Sequence, residues 1–423
     1  GGFGFRGAVG GISVDADGIV RTLEPRALES LAAERTQALA AGGWSGTPGD
    51  ARTVSLAAVA AAVRRSAATR EPLPAEVVFL GGLQRVERVF VDPDGKDILL
   101  VGPADALAVD RTGAVVGAAT RRPPLQLEDL VVCLRAIHGV REGGITCSID
   151  PSPEGVARLQ AVLARQGVMG DPQATFRTLE EAVGPQRVTV GGVPADSRFA
   201  QVLVAADYRM KRIGMGLDDS GVKGLPSYLS MVPAGGRAAA LPRFWLEADY
   251  EPLARDADEL AWRIGGRRMK CLTEGDVAAA GGMRRGAAPA DAAAKAWCAA
   301  MTASYDALAV RQPVFAELAS CIDLAVVAAL IEGRQLAGRA GCDLTPLTDP
   351  AGLSLPAYDV PASVPTVASG VKKGSAWVVS ASGGVLVQPW EFAAATAEAA
   401  DLAPLRAAAI AARPASVSGC SWD

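Results

Sequence analysis

A chain of 423 residues with 50% apolar side chains can bury a sizeable core and is long enough for two or three domains. Charged residues make up 21%, too ordinary a share for wholesale disorder. A net charge of −4 is too balanced to imply nucleic acid or an anionic membrane as partner.

The chain opens on GGFGFRGAVGGISVDADGIV, where Phe3 and Phe5 alternate with small residues and Ile12 and Val14 follow the same period. This predicts an extended arm leading into a hairpin. The pattern Val-Asp-x-x-Gly then recurs at Val14–Gly18, Val91–Gly95 and Val109–Gly113, each between β-branched residues. Asp bonding its own backbone beside a permissive Gly is turn chemistry, so residues 86–118 read as a β-meander. Asp15 and Asp17, with Glu24 six residues past Gly18, resemble part of a calcium loop. Ser13 stands where the first Asp belongs and Gly10-Gly11 rule out a leading helix, so the hairpin reading is preferred.

Helical periodicity marks Leu28–Ala41, Leu56–Ala68, and Leu127, Leu130, Val131 and Leu134. Ser152-Pro153-Glu154 is a helix start, with Val156, Leu159 and Leu163 on one face and Gly167 as the stop. His138, the only histidine, lies one turn after Leu134 and reads as a helix-end residue near the core. A lone histidine removes most catalytic triads and metal sites.

The stretch ADYRMKRIGMGLDDSGVKGLPSYL carries the densest polar chemistry. Arg209, Lys211 and Arg212 form a basic turn, read as an ion-paired face or a contact for an acidic partner. Ser220 and Lys223 have the Ser-x-x-Lys spacing of some serine hydrolases, in which a lysine one helical turn away accepts the serine proton. Gly221, Gly224 and Pro226 disfavour a helix there, and the same tetrapeptide recurs at 369–372. The pair therefore reads as loop first and catalytic site second.

Phe244–Glu247 and Trp262–Ile264 read as strands, with WRIGGRRMKCL a hairpin turning at Gly265-Gly266. Glu274–Ala293 reads as a linker. Helices follow around Trp297, Met301 and Leu308 and, past Pro313, around Phe315, Leu318 and Ile322. The longest apolar run, Cys321–Ile331, holds Asp323 and falls short of the ~20 residues of a membrane span. Residues 345–374 contain five Pro and predict a long loop. SAWVVSASGGVLVQPW predicts a hairpin at Gly383-Gly384, and a last helix runs from about Glu391 to Ala412.

The seven cysteines are widely spaced, with no C-x-x-C, and no P-loop, dinucleotide or zincin motif occurs. No cofactor or metal is therefore expected. The chain starts at Gly1, which suits a mature exported protein, and Cys420 is the natural odd thiol for pairing between chains.

Several blocks are similar to those of an uncharacterised exported bacterial family known from planctomycete genomes, domain of unknown function 1598. They are GPADALAVDRTGAVVG with RRPPLQLEDLVVCLRA, CSIDPSPEGVARLQ, LVAADYRMKRIGMGL with VKGLPSYL, and FAELASCIDLAVVAALI. They span about Glu76 to Trp390. The resemblance implies export and no assigned reaction.

The expected fold is α+β: antiparallel sheets and hairpins with segregated helices. Three segments are expected: 1–140 with the meander, 141–275 as a central α+β unit, and 276–423 with the helical hairpin, Pro-rich arm and final helix. The expected function is an exported structural protein that self-associates through Phe3 and Phe5 or Cys420. An exported Ser-x-x-Lys hydrolase and a periplasmic protein-binding scaffold acting through Arg209, Lys211 and Arg212 are the alternatives.

Overall fold

The computed structural model describes residues 46–110, 113–165, 171–233, 242–279, 282–288, 292–370, 377–378, 381–414 and 419–423. It also describes the short strands 12–14 and 20–22 and scattered helical positions between 29 and 40. Phe3, Phe5, Asp15, Asp17, Glu24 and Gly167 lie outside the described residues.

The strands run β1 (Ile12–Val14), β2 (Val20–Thr22), β3 (Gly49–Ser55), β4 (Arg88–Asp92), β5 (Asp97–Ala104), β6 (Leu107–Val109) and β7 (Val115–Gly117). They continue through β8 (Ile145–Pro151), β9 (Gln186–Gly191), β10 (Arg243–Asp249), β11 (Leu253–Arg255), β12 (Ala261–Arg263), β13 (Arg268–Ala279) and β14 (Gly282–Ala288). Next come β15 (Ser363–Val364), β16 (Ser369–Gly370) and β17 (Trp377–Val378). The last are β18 (Ser382–Val387), β19 (Thr396–Glu398) and β20 (Ser421–Trp422). One seven-stranded sheet has the order β14-β13-β10-β18-β8-β9-β15, the other β19-β11-β12-β4-β5-β3-β20. Pairing is antiparallel except β10 with β18 and β11 with β19. With helices between the strand groups, the fold is α+β. The second sheet draws strands from all three sequence segments, and β13 runs through residue 275 without a break.

The three Val-Asp-x-x-Gly words all join antiparallel strands: β1–β2, β4–β5 and β6–β7. The expected meander over 86–118 is instead two hairpins in different sheets, because β5 pairs with β3 and β6–β7 form a sheet of their own. Their backbone solutions differ. Asp110 accepts from the Ala114 N–H at 2.9 Å, and Gly113 takes the positive φ of 77°. Asp92 accepts from the Gly95 N–H at 3.0 Å, but the positive φ falls on Lys96.

Four other expectations are corrected. Gly383 and Gly384 do not turn a hairpin; they lie inside β18, between β10 and β8. A Cβ at Gly383 would sit 1.9 Å from the Phe244 carbonyl oxygen, and one at Gly384 1.8 Å from that of Cys147. These glycines allow close backbone approach on both sides of a central strand. Gly265-Gly266 likewise carry the chain from β12 in one sheet to β13 in the other, with Gly266 at φ 114°. The expected linker 274–293 is instead the ribbon of β13 and β14 and the start of the Ala292–Arg311 helix. The final helix is broken: Pro389–Ala394 and Leu402–Ala411 are helical, and β19 between them pairs with β11. There, sheet pairing overrides the helix propensity of an Ala-rich run.

The core is organised by the Pro313–Gly333 helix, which begins with Pro in its first turn. Its mean hydropathy of 2.2 over 18 residues is high enough for a membrane span, and that whole window is buried in the protein. It is apolar on all sides because neighbours cover it all round, including the Leu127–Ala136, Arg198–Gly214 and Ala292–Arg311 helices. Asp323 in the middle of this helix accepts from Arg268 at 2.9 and 2.7 Å and from the Tyr250 hydroxyl at 2.5 Å. A carboxylate buried this deeply needs such partners.

Candidate functional site

Two buried charged centres lie at opposite ends of the Arg198–Gly214 helix. Ser197 caps its start by accepting from the Ala200 N–H at 3.1 Å. That cap places Arg198 in the first turn, facing the starts of two other helices. Glu128 and Asp129 come from the first turn of Leu127–Ala136, and Glu317 from the start of Pro313–Gly333.

The Arg198 guanidinium donates to Asp129 and makes ion pairs with Glu317 at 3.4 Å and Glu128 at 3.8 Å. Tyr358 donates to both Glu128 carboxylate oxygens, at 2.9 and 3.0 Å. Its own loop is tied down by the Tyr358 N–H donating to Asp196 O at 2.7 Å. Arg35, also buried, adds a second positive field on Glu128 and Glu317, while Asp110 adds a negative one on Glu317.

Negative charge is therefore in excess. Burial, then the neighbouring Asp129, pushes the Glu128 carboxyl up to about 7, although Arg198 and Tyr358 pull it down. Burial also raises Asp129 and Glu317. Arg198 is held above the usual arginine range, because Asp129 and Glu317 outweigh the burial that opposes its charge.

At the other end, Lys211 is buried on the strand layer. Its Nζ donates to Asp207 Oδ2 at 2.8 Å, Ile149 O at 2.9 Å and Gly383 O at 3.3 Å. These are three acceptors for three N–H bonds. Burial raises the Asp207 carboxyl to about 6, with Lys211 working against the rise. One residue on, Arg212 grips Asp218 at 2.9 and 2.8 Å, joined by Arg209 at 2.7 Å. Asp218 falls below the usual range because both guanidiniums overcome its partial burial. The basic turn expected as one face is thus split: Lys211 points into the core, and only Arg209 and Arg212 form the outer ion-paired side.

A cavity beside each centre is lined mainly by apolar side chains. Val78, Leu127, Leu353 and Leu355 line the one at Glu128, and Ile149, Tyr208, Met215 and Val364 line the one at Lys211. Each has roughly 20 Å³ of space, room for about one water. Burial and the neighbouring Asp129 favour the protonated form of Glu128, and neither cavity has room for more than about one water.

Ser220 is buried in a non-helical turn. Its hydroxyl donates to Leu225 O at 2.9 Å and accepts from the Val222 N–H at 3.2 Å. Lys223 is exposed in the same turn, so the one-turn helical pairing of a Ser-x-x-Lys site is not built. His138 is corrected from a near-core position: its side chain is 72% exposed, 3.6 Å from Glu332. Cys420 is buried, its thiol donating to Glu76 O at 3.8 Å. Glu76 Oε1 also accepts from the Cys420 N–H, the Ser421 N–H and the Ser421 hydroxyl, so releasing Cys420 means releasing β20. All seven cysteines are buried free thiols. Among the described residues no group of His, Cys, Asp and Glu is arranged to hold a metal.

Sequence reasoning passed over Glu128, Asp129, Arg198 and Glu317. An acidic pair in a helix's first turn reads as ordinary dipole complementation. The usable signal was Glu317 and Asp323 inside an apolar helical stretch, since each demands a buried cation. Comparison with curated proteins and with solved structures finds no match. Residues 147–228, from β8 through both ends of the Arg198–Gly214 helix to Tyr228, match the model of a family described as Protein of unknown function (DUF1598), a narrower span than the blocks from Glu76 to Trp390.

Proposed function

We propose that this is an exported structural protein that associates with copies of itself by strand addition. The observation that carries the reading is the unequal treatment of sheet edges. Three of the four outermost strands, β15, β19 and β20, have only two or three residues. The fourth, β14, has seven, and beyond Glu274 the ribbon of β13 and β14 extends past β10. Short edges resist pairing with other chains; a seven-residue edge offers a row of backbone donors and acceptors. The alternating Gly/Phe arm at residues 1–11 is the complementary strand suggested by the sequence. Arg198, Lys211 and Ser220 are bonded to internal partners, which suits a scaffold better than a catalyst.

Light scattering on the native chain tests this. A mass that is a multiple of 43.3 kDa is expected. Successive N–H groups on a strand point to opposite sides, so one of Arg284→Pro and Arg285→Pro removes an outward donor. That variant should dissociate the particle while keeping the native circular dichroism. A monomer at all concentrations overturns the proposal.

A further inference from the structure

Cys271 lies near the start of β13, and Cys298 lies in the Ala292–Arg311 helix packed against that strand. Their sulfurs are 3.5 Å apart. Both residues are 4% exposed. The alignment is held by Thr302, whose hydroxyl accepts from the Cys271 N–H at 2.8 Å and donates to Cys298 O at 2.8 Å. Strand and helix are thus pinned together one turn from the two sulfurs.

We propose that Cys271 and Cys298 are a disulfide site, closed by a glutathione-type or protein disulfide acting as oxidant. One cysteine loses its proton and attacks a sulfur of the oxidant, displacing one oxidant thiolate and leaving a mixed disulfide. The second cysteine attacks the chain's sulfur in that mixed disulfide, forms the Sγ–Sγ bond and displaces the second oxidant thiol. Two electrons and two protons pass from the chain to the oxidant. The sulfurs must close from 3.5 Å to about 2.05 Å, a side-chain-scale movement.

The bond would tie the base of the β13–β14 ribbon to the helix that follows it. Burial holds the Cys271 thiol well above the usual range, so closure proceeds as the chain folds or as the ribbon opens locally. Once closed, the same burial shields the bond from reductant. Cys133 and Cys321 are also near neighbours, but there the Cys133 thiol points at the Cys321 carbonyl oxygen, 3.9 Å away. The site does not depend on self-association, and its test is separate from the particle mass.

The test is refolding of the full chain with oxidised and reduced glutathione, then alkylation of all free thiols in denaturant and peptide mapping by mass spectrometry. Loss of two of the seven thiols, with peptides containing Cys271 and Cys298 joined and released by dithiothreitol, is the expected result. The oxidised chain should also melt at a higher temperature than the reduced chain, and Cys298→Ala should abolish both the link and the difference. Alkylation of all seven thiols after oxidative refolding, or a link that joins a different pair, overturns the proposal.

Discussion

The two ends of the Arg198–Gly214 helix are built from the same materials and balanced differently. At the Lys211 end, one ammonium donates to one carboxylate oxygen and two carbonyls, while the second Asp207 oxygen is buried without a hydrogen-bond partner. At the Arg198 end, one guanidinium is shared by three carboxylates, with Arg35 and Asp110 adding fields of opposite sign. The helix dipole favours a cation at the Lys211 end and opposes one at the Arg198 end. Glu128 and Asp129 sit in the first turn of their own helix, where the dipole favours them. Burial alone therefore does not set the behaviour of a buried ion cluster. The local excess of one sign adds to it, and here burial and then Asp129 push the Glu128 carboxyl up to about 7.

The largest effect is expected from removing the shared cation. Arg198→Ala strands the buried carboxylates of Asp129 and Glu317 and the partly buried one of Glu128, and should cost about 3–5 kcal/mol in urea unfolding. A loss under about 1 kcal/mol would mean the cluster is not charged as described. Lys211→Met should cost less, roughly 2–3 kcal/mol at pH 8, because it strands a single carboxylate. The loss should shrink at pH 5, where Asp207, already raised to about 6, takes up a proton. Equal losses at both pH values would contradict the proposed balance.

Glu128→Gln sharpens the comparison from the other side. Glu128 binds its proton more tightly folded than unfolded, so stability is full below the usual glutamate range. It falls as pH rises from there to about 7 and levels off above. The substitution should remove that slope and leave the chain more stable at pH 8, with little change at pH 4. An unchanged slope between pH 5 and 8 would assign it to another group. The smallest effect belongs to Asp218→Asn on the outer side of the helix. Its pairs with Arg209 and Arg212 are partly exposed, and about 1 kcal/mol or less is expected, further reduced by salt.

Reading the sequence worked where chemistry is local. The three Asp-x-x-Gly turns join the strands they predicted, and Ser152-Pro153 starts the Pro153–Arg165 helix. It misled where a word has two uses. A Gly-Gly pair serves a hairpin turn and a close backbone approach equally well. Only the strands on either side of Gly383-Gly384 distinguish them. Of the polar residues singled out, Lys211 entered a buried centre and Ser220 went into loop bonding. Arg198 and Glu128 gave no local sign, because their bonded partners are 69 to 230 residues away in the chain.

Composition, turn chemistry and apolar periodicity by themselves determined the α+β class, the Asp-x-x-Gly hairpins, the main helices and the likeness to a family without an assigned reaction. These depend on neighbours within a few residues, where propensity and side-chain-to-backbone bonds act. Tertiary structure alone decided that two seven-stranded sheets interleave the three segments, that Lys211 turns inward, and that the Glu128 carboxyl is raised above the usual range. Each of these depends on burial and on the sign of charges brought together from distant parts of the chain, and a linear pattern records neither.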